Sequence, residues 1–376
     1  AVSLTTANGN VVVDAAVTTG NSSTADGTSA QAGAITVTAG TAGNLSGTGS
    51  LVTGSATVAA GAGADTAQGG NITLSANEVS KDGSTAFTVT FGVASGATSS
   101  NTQGLVAATT DGSGAAGEIR VTSGAAMRLG VLDTTDADAT TVSVVTTGGA
   151  LTVASASALD LDSVTLTGAT GLTVGNTLDV GSLTASVSGA GDLTVSSAIT
   201  TANAAAGDSG GITLSTANGN VVVNNTVTTG TATRATTGAA TAQSGAISVT
   251  AGTAGNLSGT GSLVTGNATV TGGVAGDTAA GGNITLSANE VSKDGATAFT
   301  VTFGTASGGA GTSTQGLLAV TTDGSGAAGE IRVTSGAALR LGVLNTTDAD
   351  ATTVSVVTTG GALTVASASA LDLDSV

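Results

Sequence analysis

The chain has 376 residues, a formal net charge of −17 and 60 glycines, and it contains no proline, cysteine, histidine, tryptophan or tyrosine. Without cysteine or histidine there is no disulfide, no thiolate or imidazole metal ligand, and no nucleophile paired with an imidazole base. Seven basic residues against 24 acidic ones argue against nucleic acid or an anionic membrane as a partner, and no apolar run approaches the roughly 18 residues needed to span a bilayer.

Charged residues make up 8% of the chain, well under the ~25% of an ordinary globular domain. Polarity comes from hydroxyls and amides instead. Such low complexity suggests disorder first, but valine, isoleucine and leucine are dense and alternate with polar residues, which disordered tails lack.

In chain order, the first apolar segment is Leu4-Thr5-Thr6-Ala7-Asn8-Gly9-Asn10-Val11-Val12-Val13. A Gly/Ser/Thr/Ala-rich stretch, 20–33, is expected as a surface loop and leads to the alternating run Ile35-Thr36-Val37-Thr38. Ile72-Thr73-Leu74-Ser75 repeats that pattern, and Lys81-Asp82-Gly83 reads as a turn. Phe87-Thr88-Val89-Thr90-Phe91 puts both phenylalanines on one face with valine, the pattern of core filling. A second surface loop is expected over 93–103. In Ile119-Arg120-Val121-Thr122, Arg120 and the preceding Glu118 share the outward face as a surface ion pair.

The triplets Leu151-Thr152-Val153, Leu172-Thr173-Val174 and Leu193-Thr194-Val195 then recur at intervals of 21 residues, and Ile212-Thr213-Leu214 follows 19 later. Apolar–polar–apolar alternation is the mark of a strand. No 3.6-residue period competes with it, so essentially no helix is expected.

A longer repeat encloses these. Leu4–Val13 returns at Leu214–Val223, an offset of 210 that becomes 212 from Gly33 onward. Residues 103–164 and 315–376 differ at four positions only: Val106/Leu318, Ala108/Val320, Met127/Leu339 and Asp133/Asn345. The chain reads as one continuous β-solenoid, 1–376, with a first copy over 1–210 and an incomplete second over 211–376, a window of a longer protein. Units of ~20 residues cannot bury an apolar side alone. Stacked at the ~4.8 Å strand spacing they share one core. Gly and Asn supply positive-φ corners, and the missing proline fits strands that are nearly all central.

Leu159-Asp160-Leu161-Asp162 points both leucines inward and Asp160 and Asp162 outward. Alignment of the next coil stacks Asp179 close to Asp160, and like charges at one strand spacing are unfavourable unless neutralised. A Ca²⁺ ion would do so, with Asp136 and Asp138 as a second candidate. The alternative is a solvated acidic surface that keeps the protein soluble. No cofactor is required by either reading.

An enzyme of the β-helical, polysaccharide-active kind is not expected. Its basic residues and sugar platforms have few counterparts among Lys81, Arg120, Arg128, Arg234, Lys293, Arg332, Arg340 and four phenylalanines. Thr-x-Thr pairs such as Thr36/Thr38, Thr88/Thr90 and Thr165/Thr167 suggest ice binding, but they do not recur at a constant spacing.

Gly70-Asn71-Ile72-Thr73-Leu74-Ser75-Ala76, Gly282-Asn283-Ile284-Thr285-Leu286-Ser287-Ala288 and, more loosely, Gly33-Ala34-Ile35-Thr36-Val37-Thr38-Ala39 resemble the repeats of the filamentous-haemagglutinin family of two-partner-secretion exoproteins. The resemblance implies a right-handed parallel β-helix, export across an outer membrane, and adhesion or matrix building. The Asn-Pro motifs of that family's secretion domain are missing, because there is no proline. The resulting expectation is an extracellular or cell-surface structural filament that self-associates end to end. The alternative is an adhesin contacting a cell surface or polysaccharide through the loops 20–33 and 93–103.

Overall fold

A computed structural model describes residues 1–25, 29–59, 65–96, 100–110, 118–134, 141–155, 157–235, 240–271, 275–308, 311–322, 330–346, 353–367 and 370–371. Among these, all regular structure is β-strand and the strand pairings are parallel. The chain forms two compact units, Ala1–Thr170 and Gly171–Val376, and the boundary between them does not coincide with that of the sequence repeat.

Within each unit, every pass of the chain lays its strands on the strands of the pass before, in register. In the first unit Val2 pairs with Ile35, Ile35 with Ile72, Ile72 with Val106, and Val106 with Leu129. In the second, Leu183, Ile212, Ile247, Ile284, Leu318 and Leu341 make the equivalent column. The triplets Leu172–Val174 and Leu193–Val195 also meet position for position, with Val221–Val223 on the next pass. Most passes, here called rungs, hold three strands: Ile247–Thr250, Asn256–Ser258 and Ser262–Val264 lie against Ile284–Ser287, Glu290–Val291 and Phe299–Thr302.

Alternation explains the burial. Ile284 and Leu286 are buried while Thr285 between them is exposed, and Phe87, Val89 and Phe91 all point into the core. Stacking puts β-branched or leucine side chains on their own kind, one strand spacing apart.

Among the described residues a matching irregularity breaks the pattern in each unit. The register slips between Val106 and Ala108 opposite Leu129 and Leu132, and again between Leu318 and Val320 opposite Leu341 and Leu344. The extra residue turns Val131 and Val343 outward, 48% and 44% exposed, as a β-bulge does.

The corners are held by side chains that bond to the next rung. Thr216 donates its hydroxyl to the Gly219 carbonyl and accepts the N–H of Gly252, at 2.5 and 2.9 Å. Thr6 does the same with Gly9 and Gly40. Amide oxygens make parallel ladders: Asn10 Oδ1 accepts from Asn44 N–H, Asn71 Oδ1 from Leu105 N–H, and Asn283 Oδ1 from Leu317 N–H. Glycine is required where rungs touch most closely. A Cβ on Gly282 would sit 2.0 Å from the Gly245 carbonyl oxygen.

The stretches expected as loops are ordered in their strands. Chain leaving the rungs over 20–33, 54–70 and 92–104 forms two three-stranded parallel sheets, Ser22–Thr24, Ala56–Val58, Ala94–Gly96 and Ser29–Gln31, Thr66–Gln68, Ser100–Thr102. They enclose a small core of Ala30, Ala32, Ala56, Val58 and Ala67. The second unit repeats this with Ala232–Ala235, Ala268–Thr271, Ala306–Gly308 and Thr241–Gln243, Thr278–Ala280, Thr312–Thr314 around Ala232, Ala242, Ala268, Val270 and Ala279. These two-layer projections are the arms of the two units.

Candidate functional site

The arms are where each unit presents a surface unlike its rungs. Their buried positions are alanine and valine, small enough for two sheets of short strands to close on one another. Many of their outer positions are hydroxyls stacked by register. Ser23, Thr57 and Ser95 form one column and Ser29, Thr66 and Ser100 another. The second unit places Thr233, Thr269 and Ser307, and Thr241, Thr278 and Thr312, in the same positions. The hydroxyls bond along a column, Thr66 to Ser29 at 2.7 Å and Thr269 to Ser307 at 3.3 Å.

Among the described residues each arm also buries one carboxylate. Asp277 is 1% exposed, and its Oδ1 accepts the Ala240 N–H at 3.0 Å. Asp65, its counterpart, is 3% exposed.

In the second unit the first edge of the arm is covered by a short segment of the same chain. Ala204 bridges Ala232, Asn203 Oδ1 accepts the Thr231 N–H at 2.7 Å, and Asp208 Oδ1 accepts the Gln243 N–H at 2.9 Å. A shallow cavity of about 500 Å³, lined by Asn203, Ala204, Ala205, Thr231 and Thr233, opens beside this junction. No protein-family model, curated protein or solved structure matches this chain.

Of the residues singled out as Ca²⁺ candidates, Asp136 and Asp138 lie outside the described residues, and so do the side chains of Asp160 and Asp162, whose backbone belongs to the strand Ser157–Gly168. Asp179 is half-buried in the strand Leu178–Val187, in register with Thr200 on the following rung, and accepts that hydroxyl at 2.8 Å. Among the described residues no three acidic side chains gather where they could hold a metal.

The charge cluster that does form centres on Arg120. Its guanidinium grips Glu118 with two hydrogen bonds, one of 2.8 Å. Glu78 precedes Val79, the register partner of Ile119, so Glu78 and Glu118 lie one rung apart on the outer face. Hydrogen bonding to Arg120 holds the Glu118 carboxyl below its usual range, and Glu118 first, then Glu78, raises the arginine. Arg332 and Glu330 repeat the pair. The geometry balances two stacked carboxylates with one cation, a structural task.

Asp82 is a turn cap. Backbone N–H groups of Thr85 and Ser84, at 2.7 and 3.1 Å, pull its pKa down to about 2. Asp294 is lowered in the same manner by Thr297 and Ala296.

Proposed function

We propose that the chain is a structural protein, a right-handed parallel β-helix that serves as a stiff extracellular scaffold. The observation that carries this reading is the rung-to-rung register of the apolar columns, with glycine contacts and Thr and Asn ladders recurring along both units. Such a stack lengthens by adding rungs without redesigning its core, which suits a protein whose product is length. Parallel strands at either end of a stack present open backbone edges that another copy can continue, so end-to-end self-association belongs to the proposal.

A second reading, an adhesin of the filamentous-haemagglutinin type, is favoured by the arms. They project two hydroxyl-bearing faces per unit and differ between copies more than the rungs do.

Electron microscopy of purified protein at micromolar concentration tests both. Thin threads of uniform width that continue past one chain's length support the scaffold. Single particles of fixed length that bind a cell or polysaccharide surface saturably support the adhesin and remove self-assembly. Compact, featureless particles overturn both.

A further inference from the structure

We infer that each arm is a separately cooperative module, closed off from its rungs by a hydrogen-bonded neck, so that an arm can open or change without unstacking the rungs that carry it.

Among the described residues the strands of an arm belong to sheets of their own. Ala232–Ala235, Ala268–Thr271 and Ala306–Gly308 form one, Thr241–Gln243, Thr278–Ala280 and Thr312–Thr314 the other, and only the first edge of the arm is joined from outside, by the short segment that carries the Ala204–Ala232 bridge. Their core is likewise separate, and it is made of alanine and one valine. The rungs alongside bury Ile247, Val249, Ile284, Leu286 and Phe299. Apolar burial scales with the area removed from water, so the arm is the weaker body.

The neck decouples the two. Thr229, at the last position before the arm, donates to the carbonyl of Gly245, at the first position after it, at 2.8 Å across 16 residues. The same hydroxyl accepts the N–H of Gly266 on the next rung at 3.1 Å. Thr19 makes this pair of bonds with Gly33 and Gly54, across 14 residues. Thr201 makes it with Gly210 and Gly230, across nine. Thr216 makes it with Gly219 and Gly252 in a turn spanning three.

One bonding unit therefore closes the rung whether the chain turns at once or leaves for 16 residues. On the other side of the neck Ser209 donates to Gly230 O and accepts from Gly245 N–H, and Ser244 accepts from Gly282 N–H. Because the rung's ends are fixed by these bonds, the loop-closure entropy of the excursion is settled locally. The pattern of residues agrees: Thr19/Thr229, Gly33/Gly245, Gly54/Gly266 and Gly70/Gly282 are kept between copies while the arm segments between them diverge. Local opening in cooperative units below the global transition is the expected behaviour of such a construction.

Native-state hydrogen exchange of the full chain in increasing denaturant tests this. Amides of Ala232–Ala235, Thr241–Gln243, Ala268–Thr271 and Thr278–Ala280 should exchange together, at least ~100-fold faster than those of Ile247–Thr250 and Ile284–Ser287. Arm and rung amides exchanging in one event with equal protection would overturn the inference. The variant Thr229→Val, which keeps the side chain's shape but cuts the clasp, should bring protection of Thr226–Thr228 and Ile247–Thr250 at least ~10-fold closer to that of the arm. Protection unchanged in both regions would show that the neck insulates nothing.

Discussion

At the scale of single residues, the unusual composition has a definite cause. A buried threonine hydroxyl that both donates and accepts satisfies two backbone groups at a corner, and a glycine opposite lets the backbones approach. Thr216→Val removes the hydroxyl's bonds to the Gly219 carbonyl and the Gly252 N–H, which keep their bond to one another at 3.0 Å, so we predict a loss of about 0.5–1.5 kcal/mol by chemical denaturation. Gly252→Ala should cost more, because its Cβ would lie 2.4 Å from backbone atoms of Ala217 and Asn218. A valine variant as stable as the parent would remove the clasp from the account of stability.

Asp82 gives a pH prediction with a definite sign. Its carboxyl titrates at about 2 when folded and near the ordinary ~3.9 when unfolded. The folded carboxylate is therefore favoured, the stabilisation is complete above about pH 4, and it fades as pH falls towards 2. A carboxyl titration followed by NMR should give a midpoint well below the ordinary aspartate range; a midpoint near ~3.9 would mean that the Thr85 and Ser84 bonds are not formed.

The turn at Lys81-Asp82-Gly83 was legible in the sequence; the threonine clasp was not. Thr216 and Gly252 are 36 residues apart, and a hydroxyl's partner on the next rung leaves no trace in local periodicity. The inward columns were legible, because Ile-Thr-Leu and Leu-Thr-Val show their period within three residues.

At the scale of elements, the bulge and the arms separate what patterning can and cannot convey. In Met127–Thr134 a strict period of two from Leu129 would point Val131 inward and Leu132 outward. The observed strand does the reverse, burying Leu132 and exposing Val131. We predict that Val131→Thr changes stability by less than about 0.5 kcal/mol, whereas Leu132→Ala costs about 2–5 kcal/mol. Paired thermal melts check this, and the opposite ranking would place the register slip elsewhere. The arms were read as loops for a related reason. Strands such as Ser29-Ala30-Gln31 are too short to establish alternation, and an alanine interior does not stand out in an alanine-rich chain. Only the parallel partners on neighbouring rungs make them strands, and those partners are supplied by the stack.

At the scale of the whole molecule, charge and stacking oppose each other. The chain carries −17 overall, and parallel stacking brings equivalent outward positions to one strand spacing, as with Glu78 and Glu118. Where a cation is close, as Arg120 is, the pair is balanced locally; elsewhere the repulsion is met by solvent and by hydroxyls, as at Asp179 and Thr200. Repulsion between exposed carboxylates is screened over about 10 Å at 0.1 M salt. Raising NaCl from about 0.01 to 0.5 M should therefore increase both the melting temperature and the tendency to self-associate, with the largest change below about 0.15 M. Diffuse screening depends on ionic strength alone, so CaCl₂ at matched ionic strength should have the same effect as NaCl. A larger rise with Ca²⁺, saturating at a fixed number of ions per chain by calorimetry, would mean that specific carboxylates bind it, with Asp160, Asp162 and Asp179 the first to substitute. A melting temperature that falls with NaCl would instead show that favourable ion pairs outweigh repulsion across this acidic surface, which few basic residues could sustain.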